Sequence, residues 1–292
     1  MQTMSTGDSL AISSCGVQHG ETSPSACPLC EDVRNPLGHG DRHRWTTLAQ
    51  LRADHRNVFR EDNGFVGVGT EPSVGFGQRA LLVPWQGSNL LWDCVTLFDE
   101  ETATEIERRG GLAGIAVSKP HYHGSMVEWA QRFDCPIHLH EGDRGWVMRE
   151  DPRVRYWSGD RHDLGEGLTL VHTGGHFAGA QVLHVAPRSA LLVGDTVVTC
   201  LDPDWVSFHL AWAQLPGGGK AQLLPLDEYA VRRIAQALRP YSFEILLSAW
   251  WEQAVPRGAD EMVRRSAERY VRALRGELSA RRHPPTGGLA PA

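Results

Sequence analysis

The sequence has no apolar run approaching the roughly 18 residues that a membrane-crossing helix needs, so no transmembrane segment is expected. It has no basic excess either. Lys and Arg number 29 against 35 Asp and Glu, a formal net charge of −6. Without a positive field, neither nucleic acid nor an anionic membrane is expected as a partner. Cysteine is sparse: Cys15, Cys27, Cys30, Cys94, Cys135 and Cys200 are too few and too scattered for a disulfide scaffold, and suit a reducing cytoplasm. The opening residues lack a basic stretch followed by an apolar one, so no secretory leader is expected. No short-period repeat points to a solenoid. What remains is an ordinary globular composition, 41% hydrophobic and 22% charged. It is rich in two residue types, with 14 His and 10 Trp. Several histidines cluster, and the indoles suit core filling or an aromatic-walled pocket.

Residues 1–24 are polar and rich in Ser, Thr and Gly, and are expected to be disordered, as is the tail 281–292. A Cys/His-bearing segment, 25–60, precedes the main domain, 61–280. In that domain RALLVPW and NLLWDC read as a hairpin across Gln86-Gly87-Ser88. Asp99 caps a helix that Gly110-Gly111 stops. Ser125 and Glu128 have the spacing of a capping box opening MVEWAQRF. GIAV, PIHL, GLTLVH, QVLHVA, ALLVG and FEILL are predicted strands, DEYAVRRIAQALRP an amphipathic helix, and 259–282 a long final helix. Strands and helices in this order predict two sheets with helices outside, a layered α/β sandwich.

Polar side chains gather where these strands end. His121 and His123 follow GIAV, and His140, Glu141 and Asp143 follow PIHL. His176 closes TLVHTGG, and Asp195 follows ALLVG. Imidazole with carboxylate at strand ends is a ligand set for zinc or iron. His140 and Asp143 could orient ligands or cap the next helix.

The combination SKPHYHG, TGGHFAG, LLVGDTVV and LLSAWW resembles the metallo-β-lactamase superfamily, from about residue 67 to residue 251. The resemblance implies a four-layer αββα sandwich and a metal-dependent hydrolase. In that family's HxHxDH loop, the first His is Lys119 here, the second is His121, the Asp is His123 and the last His is Gly124; the late His falls at Trp250. Only Asp195 is left of the usual second-metal ligands, so the resemblance implies one catalytic ion, on His121, His176 and Asp195 with His123 as a fourth candidate. Zinc is expected and Fe(II) is the alternative. The expected reaction is hydrolysis of a small-molecule ester, lactone, amide or thioester, with Asp195 as ligand and Lys119 or Asp143 handling protons. The competing role for Lys119 is an ion pair with Asp195 or Asp143. The alternatives are a mononuclear iron oxidoreductase like the family's persulfide-oxidising enzymes, or a lapsed binding protein of the same fold. A homodimer is left open.

Cys27-Pro28-Leu29-Cys30 is a zinc half-site in its own right. His39, His43 and His55 are the candidates for completing a second, structural ion there.

Overall fold

The structure, a computed structural model, describes residues 6–32, 34, 43–214 and 220–278. The tail 281–292 and His39 lie outside the described residues. Two short helices, α1 (Pro28–Glu31) and α2 (Leu48–Leu51), precede the first sheet. That sheet runs in chain order: β1 (Arg56–Asp62), β2 (Phe65–Glu71), β3 (Ala80–Trp85), β4 (Ser88–Trp92), β5 (Gly114–Ala116), β6 (Ile137–His140) and β7 (Val154–Trp157). Its first four strands pair antiparallel, and β4 to β7 pair parallel. The helices α3 (Glu100–Arg108) and α4 (Met126–Phe133) supply the crossovers from β4 to β5 and from β5 to β6.

A second sheet holds β8 (Arg161–Gly165), β9 (Leu168–His172), β10 (Gln181–Val185) and β11 (Ala190–Leu192). Two small ribbons follow, β12 (Val198–Thr199) with β13 (Val206–Ser207), and β14 (Ala211–Gln214) with β15 (Lys220–Leu224). After α5 (Glu228–Leu238) the chain returns to the second sheet as β16 (Ile245–Leu247), parallel to β11, and β17 (Ala254–Val255), and ends in α6 (Ala259–Leu274).

Alternation along the strands builds three cores. On β3, Leu81 and Val83 face Leu170, Leu183, Leu192 and Leu247 between the two sheets. Ala80 and Leu82 face the other way, toward Ile106 of α3 and Val127 and Ala130 of α4. Leu191 and Leu246 pack on Ile234 of α5 and Val263 and Ala267 of α6. A strand with apolar residues on both faces must be covered on both, and the result is the expected four-layer αββα sandwich.

Local expectations fared unevenly. The β3–β4 hairpin closes at Trp85 opposite Ser88. Asp99 caps α3 by accepting the Thr102 amide at 2.7 Å. The capping box does not form: the Ser125 hydroxyl donates to the Val95 carbonyl, and Glu128 is drawn off by Arg149. The expectation of disorder over 1–24 is corrected for residues 6–24. Ile12, Cys15 and Val17 are buried there, and Ile12 bridges both Thr46 and Gln18. The expected boundary at residue 60/61 cuts through β1, which starts at Arg56. No described helix is long and apolar enough to cross a membrane.

Candidate active site at the strand ends

Each side chain of the site is delivered by a strand that has just ended. β5 runs out into Ser118 and Lys119, and a 3₁₀ turn, Pro120–Tyr122, follows. Asp93, beyond β4, accepts the Ser118 amide at 2.7 Å and holds that exit in place. Burial pushes its carboxyl up to about 7 against that hydrogen bond. β11 runs out through Gly194 to Asp195. Gly194 has φ +56°, and a Cβ there would stand 2.3 Å from the Ser118 hydroxyl oxygen, so only glycine lets the two exits come this close. β9 leads to His176 through a loop tied back by the Thr173 and Gly174 amides to the Ala180 carbonyl.

The structure brings together His121, His176, Asp195 and Lys119. The Lys119 ammonium lies 2.5 Å from Asp195 Oδ2, and both side chains are only 3% exposed. His121 and His176 stand with ring centroids 5.4 Å apart. His209, a residue outside the expected set, joins them: its ring lies 5.3 Å from that of His176, and its Nε2 lies 3.7 Å from Asp195 Oδ2. Its only sequence signal was a position in an aromatic stretch, WVSFHLAW. Phe76 stacks on the His121 ring at 4.6 Å. The cluster is closed from solvent.

Electrostatics follow from that closure. Burial drives the basicity of His121 and His176 well below the usual imidazole range, and the neighbouring Lys119 ammonium adds to it. His209 is lowered by burial against the pull of Asp195. Burial alone would raise Asp195, but the Lys119 ammonium, His209 and His176 outweigh it and hold the carboxylate well below its usual range. Burial lowers Lys119, and Asp195 opposes the shift. The site is thus an ion pair ringed by neutral imidazoles.

The donor set suits one cation in kind. Two imidazoles sharing a tetrahedral zinc at about 2.0–2.1 Å per nitrogen place their ring centroids about 5 Å apart, close to the spacings seen. All four ring nitrogens of His121 and His176, and Asp195 Oδ1, are buried without a hydrogen-bond partner. Against this, the donor atoms do not close to mutual ligand distance as the cysteine cluster does, and the ammonium occupies Asp195. A dication about 4 Å from that ammonium would meet about 8 kcal/mol of repulsion at an effective dielectric of about 20. Ion and ammonium therefore exclude one another at Asp195.

Two expected site residues have surroundings of their own. His123 is buried beside Val17, Gln18, Met148 and Arg149, and burial alone pushes it down to about 3; it is not part of the cluster. Asp143 Oδ1 accepts the Gly179 amide at 2.7 Å, which ties it to the loop that carries His176. Gly124, in the place of the family's last loop His, has φ +52°, and a Cβ there would stand 2.7 Å from the Val95 carbonyl oxygen. No imidazole fits at that point without moving backbone. Trp250 is occupied too, donating to the Phe76 carbonyl at 2.8 Å.

Cys27 and Cys30 do come together, and the third member is Cys15. Of the expected histidines, the two described ones are not in that set. His43 packs edge-on to Trp45 at 4.6 Å, and His55 pairs with Asp54 at 2.5 Å.

No family model matches the chain. The uncharacterized protein YmaE of Bacillus subtilis (strain 168) is 39% identical over 273 residues, covering 90% of this chain and 96% of that one. Among solved structures, VMB-1 superposes with a TM-score of 0.55 at 12% identity, covering 75% of this chain and 98% of that one. The DIM-1 metallo-β-lactamase follows at 0.52 and 17%, covering 74% and 98%. The metallo-β-lactamase FIM-1 from Pseudomonas aeruginosa, in its mono-zinc form, gives 0.50 and 14%, covering 74% and 96%. At these identities the likeness is one of fold. With two sheets packed face to face and chemistry gathered at their strand ends, the chain belongs to the same family as YmaE and carries the metallo-β-lactamase fold.

Proposed function

We propose that this chain is a hydrolase of small-molecule ester, lactone, amide or thioester bonds. Its catalytic metal site, for one ion held by His121, His176, His209 and Asp195, is closed in the resting form by the Lys119 ammonium. The observation that carries this reading is the set of five buried polar atoms without partners around one carboxylate. Each such atom costs about 1–3 kcal/mol if left unsatisfied, so a fold that retains all five is shaped for something that satisfies them.

When bound, the ion would lower the pKa of a coordinated water toward about 7 and polarise the scissile carbonyl. Zinc suits the three imidazoles and the carboxylate, and Fe(II) is the alternative. The chain's own residues do the rest. Burial keeps the three imidazoles neutral, as ligands and proton acceptors must be. Asp195 supplies the negative charge that Lys119 and the ion compete for. Lys119, once released, is a cationic arm beside the site, suited to a substrate carboxylate or a developing oxyanion. Asp143 holds the His176 loop through Gly179.

The test is turnover of a chromogenic ester, lactone, amide and thioester panel by protein loaded with zinc or Fe(II), with metal content and oxygen uptake measured alongside. Hydrolysis that His176→Ala and Asp195→Asn abolish supports the proposal. Oxygen uptake with iron would assign an oxidoreductase instead. The Lys119–Asp195 closure favours a second reading, a binding protein in which catalysis has lapsed. That reading stands if neither the natural chain nor Lys119→His takes up an ion at the strand ends.

A further inference from the structure

The strand-end chemistry does not use the cysteine cluster. Cys15, Cys27 and Cys30 bring their sulfurs within 4.8 Å of one another, and among the described residues no other three His, Cys, Asp or Glu donors come so close. All three are buried and none is in a disulfide. Cys15 Sγ lies 4.0 Å from Cys27 Sγ. Disulfide sulfurs stand about 2.05 Å apart, whereas two thiolates on one tetrahedral zinc, each at about 2.3 Å, stand about 3.8 Å apart. A disulfide between any two of them would also strand the third.

The fourth donor is at hand. His19, four residues after Cys15, is 6% exposed. A hydrogen bond from His19 helps to lower the Cys27 thiol, the His19 Nε2 has no hydrogen-bond partner, and its ring is braced edge-on against Trp45 at 5.0 Å; its ring nitrogens stand outside the 4.8 Å reach that the three sulfurs share, so the ring must swing inward to bind. The backbone is built to present these groups. Cys15 sits in a tight turn closed by the Ser13 amide on the Val17 carbonyl. Cys27 and Cys30 flank the first turn of α1, where the Cys30 amide returns to the Cys27 carbonyl.

We propose that Cys15, His19, Cys27 and Cys30 form a closed tetrahedral Cys3His zinc site that is structural and distinct from the strand-end centre. Four protein ligands leave no open position for chemistry. What the site would do is pin the N-terminal segment onto the loop that carries His176. Cys15, Cys27, Leu29 and Cys30 share one apolar cluster with Phe177 and Ala180. Just beyond them, Arg34 donates to the His176 carbonyl at 2.7 Å and lies over the Phe177 ring.

The test is made on the full chain, purified without chelator or metal-binding tag. One zinc per chain is expected, released by a mercurial as three thiolates react, and retained in His176→Ala, which separates it from the strand-end centre. Cobalt exchanged into the protein should give thiolate-to-cobalt charge-transfer absorption with tetrahedral ligand-field bands. His19→Ala should weaken zinc binding by at least about 100-fold, since loss of even an outer-shell partner costs about 10–100-fold. His19→Cys should keep zinc and shift the cobalt bands toward an all-thiolate pattern. Three freely reactive thiols with neither zinc nor cobalt absorption, a native disulfide between any two of the three, or unchanged zinc affinity in His19→Ala would overturn the assignment.

Discussion

Replacing Lys119 by Met keeps the stem and removes the ammonium. Both partners of the ion pair are 3% exposed, so the variant leaves the Asp195 carboxylate charged, buried and unpaired. Breaking a buried pair from one side costs about 3–5 kcal/mol. At about 2.1 cal/mol/K per residue, unfolding a chain of 292 residues carries an entropy of about 0.6 kcal/mol/K, so a loss of 4 kcal/mol lowers the thermal midpoint by roughly 6–7 °C. Lys119→Met combined with Asp195→Asn removes both charges and should recover much of that loss, with a coupling of about 2 kcal/mol or more in a double-mutant cycle. The assay is thermal and denaturant unfolding of the four proteins, with and without added zinc. Zinc at about 100 times its dissociation constant should return about 2.7 kcal/mol to Lys119→Met and much less to the natural chain. A loss under about 1 kcal/mol in Lys119→Met, with Asp195→Asn simply additive, would refute the buried ion pair.

Three further outcomes are expected. The Asp143 carboxyl is pushed up to about 7 by burial, against about 3.9 when unfolded. Its stabilising contribution is therefore full below about pH 4, falls as pH rises toward 7, and is flat above. Asp143→Asn should gain on the natural chain by up to about 4 kcal/mol between pH 4 and 8, and a difference that stays level across that range in urea unfolding would contradict it. Gly124→His should destabilise by at least about 1–2 kcal/mol from the left-handed backbone alone, and should add no second strand-end ion in elemental analysis. His176→Ala should abolish strand-end metal uptake and any hydrolysis while leaving the fold intact by circular dichroism; unchanged uptake would remove His176 from the ligand set.

The fold was legible because its signals are local. Leu81 and Leu82, on opposite faces of β3, needed only alternation to be read as a strand covered on both sides. His121, His176 and Asp195 were legible as strand-end residues with family spacing. His209 was not, because a side chain offered by a loop after β13 has no fixed spacing from the others. Cys15 went unread for a similar reason: twelve positions separate it from Cys27, and non-local pairing such as the Ile12 bridges to Gln18 and Thr46 folds it back. Ser125 and Glu128 had the spacing of a cap, but tertiary partners, Val95 and Arg149, outbid the local pairing. The first 24 residues looked disordered by composition, because a few apolar residues such as Ile12 and Val17 are buried by the rest of the domain rather than by each other.

The most direct measurement is a count of ions bound per chain by chelator-stripped natural protein and by Lys119→His, side by side, at free metal just sufficient to fill the cysteine cluster. If the ammonium and the ion compete for Asp195, the variant binds one more ion per chain than the natural protein. Equal counts would mean that Lys119 does not stand in an ion's place.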